Sequence, residues 1–211
     1  MKKSFEKNYP IWWSEACIIL SKRDKVMKSL IEKYNNGKIT TFKNPFYSLS
    51  KCIVGQQISV QAADAVWGRL SKKFNLLDEK CFCDLKPEFL KSFGLSLRKT
   101  NYLIILSNYM VNKNSFDFWV NLNDKEIYTE LITLKGIGPW SIKMFLIFCL
   151  NRKDIFSSED LGLMKAIGTN YFRGSIPSKD EAEDLALKWS PWRTVASWYL
   201  WRSIDPDLVV Y

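Results

Sequence analysis

Apolar residues recur along most of this chain at intervals of three and four positions, which is the spacing of one buried face on an α-helix. Turn-forming residues separate these segments, as at 35–37, 44–45, 94 and 174–177. No two segments alternate in the way that predicts paired strands. The pattern predicts an all-α protein with helices at about 11–21, 23–35, 46–55, 59–74, 87–92, 96–112, 123–134, 139–150, 160–168, 178–189 and 192–202.

The segment 124–141 predicts two helices joined by a tight turn. Apolar residues at helical spacing end at Leu134, and Gly136 lies where the first helix is expected to end, because a left-handed cap favours glycine. Pro139 suits the first turn of the second helix, where no backbone N–H is needed. A helical hairpin is therefore predicted around Leu134-Lys135-Gly136-Ile137-Gly138-Pro139-Trp140-Ser141.

This turn has two features that suit a phosphate group. The second helix begins with backbone N–H groups that lack an intrahelical partner and with the positive end of its dipole. Gly136 and Gly138 have no side chains, so an anion could approach their amides closely. A tight connection that needs glycine only for its turn explains the Gly-Ile-Gly pattern equally well. The residues alone leave both interpretations open.

Asp160 is a candidate for chemistry at the beginning of the next predicted helix. It follows Ser157 and Ser158, which are good N-cap residues, and it precedes the apolar segment 161–167. The helix dipole favours a carboxylate in the first turn and tends to keep it ionised. Glu159 and Asp160 are equally consistent with acids that only help to start a helix.

The composition favours a polyanionic partner and excludes several kinds of active site. The 211 residues are 47% hydrophobic and 15% aromatic, which is enough for a sizeable core, and the net charge is +9. An ordinary basic surface would give the same charge. Because the chain contains no histidine, catalytic triads and metal sites that use histidine are excluded. A general base must therefore be a carboxylate or a lysine with a lowered pKa.

The five cysteines do not form the pattern of a metal site or of a disulfide framework. Cys81 and Cys83 make one isolated pair, the total is odd, and neither a secretory segment nor a membrane-spanning run is visible. We therefore expect reduced thiols, no membrane association and a cytoplasmic protein, nucleoid-associated in a bacterium or nuclear in a eukaryote.

Three further segments accompany the hairpin and Asp160, which follows Trp140 by twenty positions: Ile53-Val54-Gly55-Gln56-Gln57-Ile58-Ser59, Gly94-Leu95-Ser96-Leu97-Arg98-Lys99 and Trp189-Ser190-Pro191-Trp192-Arg193. Together these segments resemble the helix-hairpin-helix base-excision DNA glycosylase superfamily, and within it the 3-methyladenine DNA glycosylase II family. They stand in the family's order and cover nearly the whole chain, which makes the combination far more specific than any one motif.

The resemblance implies two helical lobes with an active-site cleft between them. Residues 43–153 would form the lobe that contains the hairpin, and residues 1–42 and 154–211 would form the second lobe. Asp160 would then lie just after the chain crosses back, and clefts between lobes are common ligand sites. The resemblance also leads us to expect a monomer.

It further implies roles for individual residues. Asp160 would be the catalytic carboxylate, which stabilises the oxocarbenium-like sugar or orients the attacking water. Trp140 and Trp192 would offer ring faces to a flipped base, and Met144 and Leu161 stand where the family often has aromatic residues. Flipping is required because the reacting bond is not reachable inside a base stack. The implied DNA contacts, among which Gln57 or its neighbour would fill the gap left by the flipped nucleotide, are Gln56, Gln57, Ser59, Gly136, Ile137, Gly138 and Ser141.

Trp140 stands where bifunctional relatives have a lysine that forms a Schiff base with the sugar. The expected reaction is therefore hydrolysis of the N-glycosidic bond of alkylated purines in damaged double-stranded DNA, without strand cleavage. Some relatives carry four clustered cysteines near the C-terminus that hold an iron–sulfur cluster; the last cysteine here is Cys149, so no such cluster is expected. The hairpin would hold Na+ or K+ through the backbone carbonyls of Ile132, Leu134 and Ile137.

Two alternatives remain at this point. One is a non-catalytic DNA-binding module that uses the same hairpin to bind phosphates. The other is a glycosylase for another lesion class.

Overall fold

The structure is a computed structural model that describes residues 10–35, 37–75 and 78–205. Over these ranges the chain forms twelve α-helices and one short 3-10 helix, with no strand beyond an isolated bridge residue at Thr41. The prediction of an all-α protein is confirmed. The helices are α1 (Trp13–Arg23), α2 (Lys25–Lys33), α3 (Pro45–Gly55), α4 (Val60–Lys73), η1 (Glu79–Phe82), α5 (Pro87–Lys91), α6 (Leu97–Met110), α7 (Phe116–Val120), α8 (Asp124–Leu131), α9 (Pro139–Phe148), α10 (Leu161–Tyr171), α11 (Lys179–Leu187) and α12 (Arg193–Ile204).

The chain divides into two compact units. The hairpin unit is Phe42–Leu150, and the terminal unit combines the described residues up to Thr41 with those from Asn151 onward. The lobes expected from the resemblance change over at slightly different positions, after residues 42 and 153. The cleft expected between the lobes stays a prediction.

The hairpin unit is organised around α3 and α9, which pack against each other. Helix α9 is apolar on nearly all sides, and every residue from Met144 to Leu150 is buried, as predicted for a core segment. Pro139 is the first residue of α9, also as predicted. No helix in the described part of the chain is long and apolar enough to cross a bilayer.

In the terminal unit one carboxylate accepts four hydrogen bonds and connects three segments. Asp24 caps α2 by accepting the N–H groups of Val26 at 2.8 Å and Met27 at 3.1 Å. Its other oxygen accepts the Tyr171 hydroxyl at 2.9 Å and the Trp189 indole N–H at 3.1 Å. Because partly buried polar groups need such partners, Asp24 links α2 to α10 and to the segment after α11.

Several element boundaries differ from the predicted ones. A helix was predicted over 123–134, but α8 ends at Leu131 and the following residues form turns. Gly136 has a left-handed φ of +94°, as predicted, but it lies in the turn and is not the cap of α8. The helices η1 and α7, of four and five residues, were missed, although the equally short α5 was predicted.

Candidate functional site

The turn between α8 and α9 contains two glycines with different requirements. At Gly136 the φ is +94°, and a Cβ atom would lie 2.3 Å from the ring of Tyr102. Gly138 is the N-cap of α9 with an ordinary φ of −114°, and no heavy atom lies within 4 Å of its Cβ position. The fold therefore requires glycine at 136. At 138, glycine leaves open space at the positive end of α9, where an anion is stabilised.

The other hairpin residues face in different directions. The Ile137 side chain is buried, and its N–H donates to the Leu134 carbonyl at 3.0 Å, so only its backbone could contact a ligand. Trp140 is half-buried in the first turn of α9. Ser141 is buried, and its hydroxyl oxygen accepts a hydrogen bond from Gln56 at 3.3 Å. A DNA contact through the Ser141 side chain, as expected from the resemblance, is therefore not supported.

The segment 56–59, which we call the joint, connects α3 to α4 and separates the two neighbouring glutamines. Gln56 turns inward, and its amide nitrogen donates to the Gly136 carbonyl at 2.8 Å. Gln57 is exposed and has a left-handed φ of +56°. Ser59 is exposed and caps α4 by accepting the Ala62 N–H at 3.2 Å, as predicted. Gln57 is thus the glutamine that solvent or a ligand can reach, whereas Gln56 contacts the hairpin and its expected DNA contact is not supported.

Asp160 is the N-cap of α10 and not, as predicted, a residue of its first turn. Its Oδ1 atom accepts the Leu163 N–H at 2.6 Å and the Trp201 indole N–H at 3.0 Å. A Cβ atom at Gly162 would lie 3.2 Å from the same oxygen, which is closer than most Cβ contacts, so glycine leaves room for these two hydrogen bonds. The half-buried carboxylate is therefore held in one orientation by two donors from different helices.

The two serines before Asp160 do not act as caps. Ser157 and Ser158 are buried, because the chain before α10 turns inward. The Ser157 hydroxyl donates to Glu159 at 3.1 Å, and the Ser158 hydroxyl donates to Glu183 of α11 at 2.7 Å. These bonds fix the segment from which Asp160 emerges.

The beginning of α12 also holds the chain ahead of Asp160. Arg193 donates from Nε to Oδ1 of Asp154 at 2.7 Å and from a terminal nitrogen to Oδ2 at 3.1 Å. The Ser190 hydroxyl donates to the same carboxylate at 3.0 Å. Burial raises the pKa of Asp154, but the hydrogen bonds and charge of Arg193 and the hydroxyl of Ser190 outweigh it, so this pKa lies below its usual value.

Thr194 makes the second connection to this segment. Its hydroxyl accepts the Ile155 N–H at 3.0 Å and donates to the Arg152 carbonyl at 2.7 Å. Helix α12 thus fixes residues 152–155 at its beginning and contacts Asp160 through Trp201 near its end.

The expected base-contacting residues have unequal access to a ligand. Leu161 is 85% exposed next to Asp160. Trp192 is only 7% exposed, its ring stacks on Trp12 with centroids 5.9 Å apart, and the Lys153 ammonium lies 5.0 Å from its ring centroid. Met144 has no exposed surface, so a contact between this side chain and a base is not supported. The role expected for Trp192 stays a prediction.

The expected cation ligands are backbone carbonyls in the turn after α8. The Leu134 carbonyl accepts one N–H, and its second lone pair leaves it able to ligate a cation. These oxygens fit the chemistry of Na+ or K+, and the assignment stays a prediction. Within the described ranges no three His, Cys, Asp or Glu side chains lie together in a way that could hold a metal ion. All five cysteines are free thiols.

Two residues with clear structural roles here were missed by the sequence analysis. Trp201 contacts Asp160 across 41 positions, and the Tyr102 ring lies directly beside Gly136. Trp201 lies outside the segment that contains Asp160, and Tyr102 lies outside the hairpin segment that contains Gly136. The only available signal was their placement on helices that also carry family segments.

Comparisons with known proteins point in one direction. The family model described as HhH-GPD superfamily base excision DNA repair protein matches residues 50–191. The DNA-3-methyladenine glycosylase 1 of Schizosaccharomyces pombe is 28% identical over 90% of this chain and 87% of its own length. The DNA-3-methyladenine glycosylase of Saccharomyces cerevisiae is 31% identical over 77% of this chain and 67% of its own length.

A solved structure agrees with these sequence relatives. The S. pombe 3-methyladenine DNA glycosylase Mag1 in complex with abasic DNA has a TM-score of 0.81 and 26% identity to this chain, covering 93% of this chain and 98% of that one. The chain spans about two thirds of the length of its Bacillus subtilis and S. cerevisiae relatives.

Proposed function

Since the chain belongs to the HhH-GPD superfamily of base excision DNA repair proteins, we propose that it is a monofunctional DNA glycosylase that releases alkylated purines of the 3-methyladenine type. The names of the two yeast relatives support this activity. The observation in this chain that carries the proposal is the Asp160 carboxylate, held half-buried by the Leu163 and Trp201 N–H groups at the beginning of α10.

The proposed ligand is double-stranded DNA that contains a damaged base, bound by a monomer. The hairpin would bind a backbone phosphate at the open amino end of α9, in front of Gly138. Gln57, which is exposed at the joint, would fill the gap left by the flipped nucleotide. A net charge of +9 favours association with this polyanion. A Na+ or K+ ion at the hairpin carbonyls would add positive charge close to the phosphate, and no other cofactor is proposed.

The proposed chemistry is hydrolysis at C1′ of the flipped nucleotide. The bond between C1′ and the base breaks, and its electron pair leaves with the base, which becomes neutral because the alkylated purine carried a positive charge. The Asp160 side chain stabilises the positive charge that develops on the sugar, and water then adds to C1′ and loses a proton to solvent. Trp140 cannot form a Schiff base, so the product is an intact strand with an apurinic site.

The half-buried Trp140 ring would help to recognise the damaged base. A cationic purine placed over an aromatic face gains about 0.5–2 kcal/mol relative to a neutral one. The proposed preference for alkylated purines thus combines a charged leaving group with an aromatic contact. Leu161 would add an apolar contact next to Asp160.

Measuring base release tests the proposal directly. Purified protein is incubated with DNA treated with a methylating agent, and released bases and alkali-labile apurinic sites are quantified. Asp160→Asn keeps the size and the capping ability of the residue but removes its charge. Release should fall roughly a hundredfold or more, while binding to DNA is retained. The matched control is Asp184→Asn, at an exposed position on α11, which should release bases like the wild type.

Two outcomes would overturn parts of this assignment. If Asp160→Asn releases bases at the wild-type rate, the role given to Asp160 is wrong. If the wild type binds DNA but releases no base from any methylated substrate, the protein is a DNA-binding module.

A further inference from the structure

In the hairpin unit, Gln56 connects the joint to the turn of the hairpin. Its amide nitrogen donates to the Gly136 carbonyl at 2.8 Å and lies 3.3 Å from the Ser141 hydroxyl oxygen. A carbonyl can only accept, so the nitrogen and not the oxygen of Gln56 must face Gly136. The two contacts span 80 and 85 positions, so they form only when the unit is folded.

Two residues of α6 support the same region. The Lys99 ammonium donates to the Val54 carbonyl in the last turn of α3 at 2.7 Å, and desolvation lowers the pKa of this lysine. The Tyr102 ring, one turn further along α6, occupies the space beside Gly136. The end of α3, the beginning of α6 and the hairpin turn are therefore packed together.

The joint beyond Gln56 has no comparable side-chain anchor before the cap at Ser59. Gln57 has a left-handed φ, which costs free energy for a residue with a side chain and must be compensated by its surroundings. Ile58 and Val60 are apolar residues that still expose 41% and 38% of their surface. Gln56 is thus the residue whose side chain ties this exposed segment to the hairpin.

We propose, on the basis of the proposed function, that Gln56 is a positioning residue. It couples phosphate binding at the hairpin to insertion of the joint into the duplex. DNA bound in front of Gly138 meets a joint whose distance from the hairpin is already fixed. Pre-organisation of this kind removes the cost of ordering the segment after binding. Without the Gln56 contacts, the hairpin still binds phosphate, but the flipped state is less populated.

The test compares two amide side chains that hold opposite ends of α3. Gln56→Met keeps the length of the side chain and removes its donor. At the other end, Asn114 accepts the Phe46 N–H at 2.8 Å and donates to Glu79 at 2.7 Å. Asn114→Leu removes these bonds at similar size, and Asn114 has no part in the proposed DNA contacts.

Single-turnover base release and DNA binding are measured for both variants. Gln56→Met should lower the rate of release by about tenfold, the equivalent of one buried hydrogen bond, with affinity for undamaged duplex within about twofold of the wild type. Asn114→Leu should lower the melting temperature and leave the release rate of the folded protein unchanged. If both variants release bases at the wild-type rate, Gln56 has only a structural role.

Hydrogen exchange in the DNA-free protein gives a readout independent of activity. In Gln56→Met, peptides that cover residues 56–60 and 134–141 should exchange faster together, whereas Asn114→Leu should leave both unchanged. Unchanged exchange in Gln56→Met would refute the coupling even if the enzyme is active. A wild type that releases no bases would refute the proposed function, and the exchange result would then decide the coupling alone.

Discussion

Indole N–H groups are used twice in the terminal unit as donors to a carboxylate, with different consequences. Trp189 donates to Asp24, which also caps α2 and accepts the Tyr171 hydroxyl, so this carboxylate is satisfied from several sides. Trp201 donates to Oδ1 of Asp160, the same oxygen that accepts the Leu163 N–H. The same chemical pair therefore stabilises the fold in one place and orients a proposed catalytic group in the other.

Replacing Trp201 by Phe should slow base release by about tenfold with little effect on DNA affinity. An aromatic ring remains, but Oδ1 of Asp160 loses the indole N–H and keeps the Leu163 N–H, so the carboxylate is held less firmly. Single-turnover release and duplex binding measure the two effects separately. Trp189→Phe is the control, which should lose about 2 kcal/mol or more of unfolding free energy, because Trp189 is fully buried, and keep its release rate. Equal release rates for the two variants would contradict the role of Trp201.

The Asp154–Arg193 contact predicts a specific pH dependence of stability. The pKa of Asp154 is lower in the folded protein than in the unfolded chain, where it is about 3.9. The contact therefore adds to the free energy of unfolding above the unfolded pKa, and this contribution is lost as the pH falls through the lower pKa of the folded protein. The difference in unfolding free energy between the wild type and Asp154→Asn should be largest above about pH 5 and shrink below about pH 4. Urea unfolding from pH 6 to pH 2.5 measures it. A constant difference would contradict this assignment.

Helical periodicity predicted the longer helices but not the details of how they end. Residues in α9 are buried on nearly all sides, which a continuous apolar run already indicates. Helix α8 ends at Leu131, three residues before the predicted end at 134. The prediction was wrong because the apolar spacing continues to Leu134 although the backbone has already left the helix. The short α7 has no periodic signal, and its position depends on the packing of Trp119 against Phe145.

The candidate site was predictable only where a motif carries it. Asp160 was found through its spacing from the hairpin, but its partner Trp201 was not, because their proximity depends on how α10 and α12 pack. The two glutamines of the joint are chemically identical. Gln56 faces inward and bonds to the hairpin, whereas Gln57 is exposed with a left-handed φ, and no residue pattern predicted this difference.

The two glycines of the hairpin turn should respond to alanine in opposite ways. Gly136→Ala should lose about 3 kcal/mol or more of unfolding free energy, because a positive φ and the Tyr102 ring both oppose a Cβ. Gly138→Ala should lose less than about 1 kcal/mol, because its φ is ordinary and its surroundings are open. It should nevertheless weaken duplex binding, since the methyl group occupies the proposed phosphate position.

Urea unfolding and duplex titration separate these two effects. Gly68→Ala, in α4 with open space around it, is the control and should gain about 0.5–1 kcal/mol. If Gly138→Ala binds duplex DNA as the wild type does, no phosphate is bound in front of α9.

In the proposed function the two units carry different tasks. The hairpin unit contains the proposed DNA contacts at Gln57, Ser59 and Gly138, and the terminal unit contains Asp160 and Trp201. Affinity for undamaged DNA should therefore depend on the hairpin unit and on the charge of the protein. Base release should depend on both units. Substitutions in the terminal unit that leave the fold intact should therefore change base release more than they change affinity for undamaged DNA.

The excess of basic residues predicts that duplex binding weakens steeply as salt is added. Each phosphate neutralised by a lysine or arginine contributes about −0.9 to the slope of log affinity against log salt concentration. Lys135 is exposed directly before Gly136, so Lys135→Gln should reduce the magnitude of the slope by about one.

Lys28 is equally charged but lies on α2 and has no proposed DNA contact, so Lys28→Gln should leave the slope unchanged. Fluorescence anisotropy between 50 and 200 mM salt, roughly the range over which such contacts are lost, measures both slopes. Equal slopes for Lys135→Gln and the wild type would mean that the hairpin lysine contacts no phosphate and that the positive charge acts elsewhere on the protein.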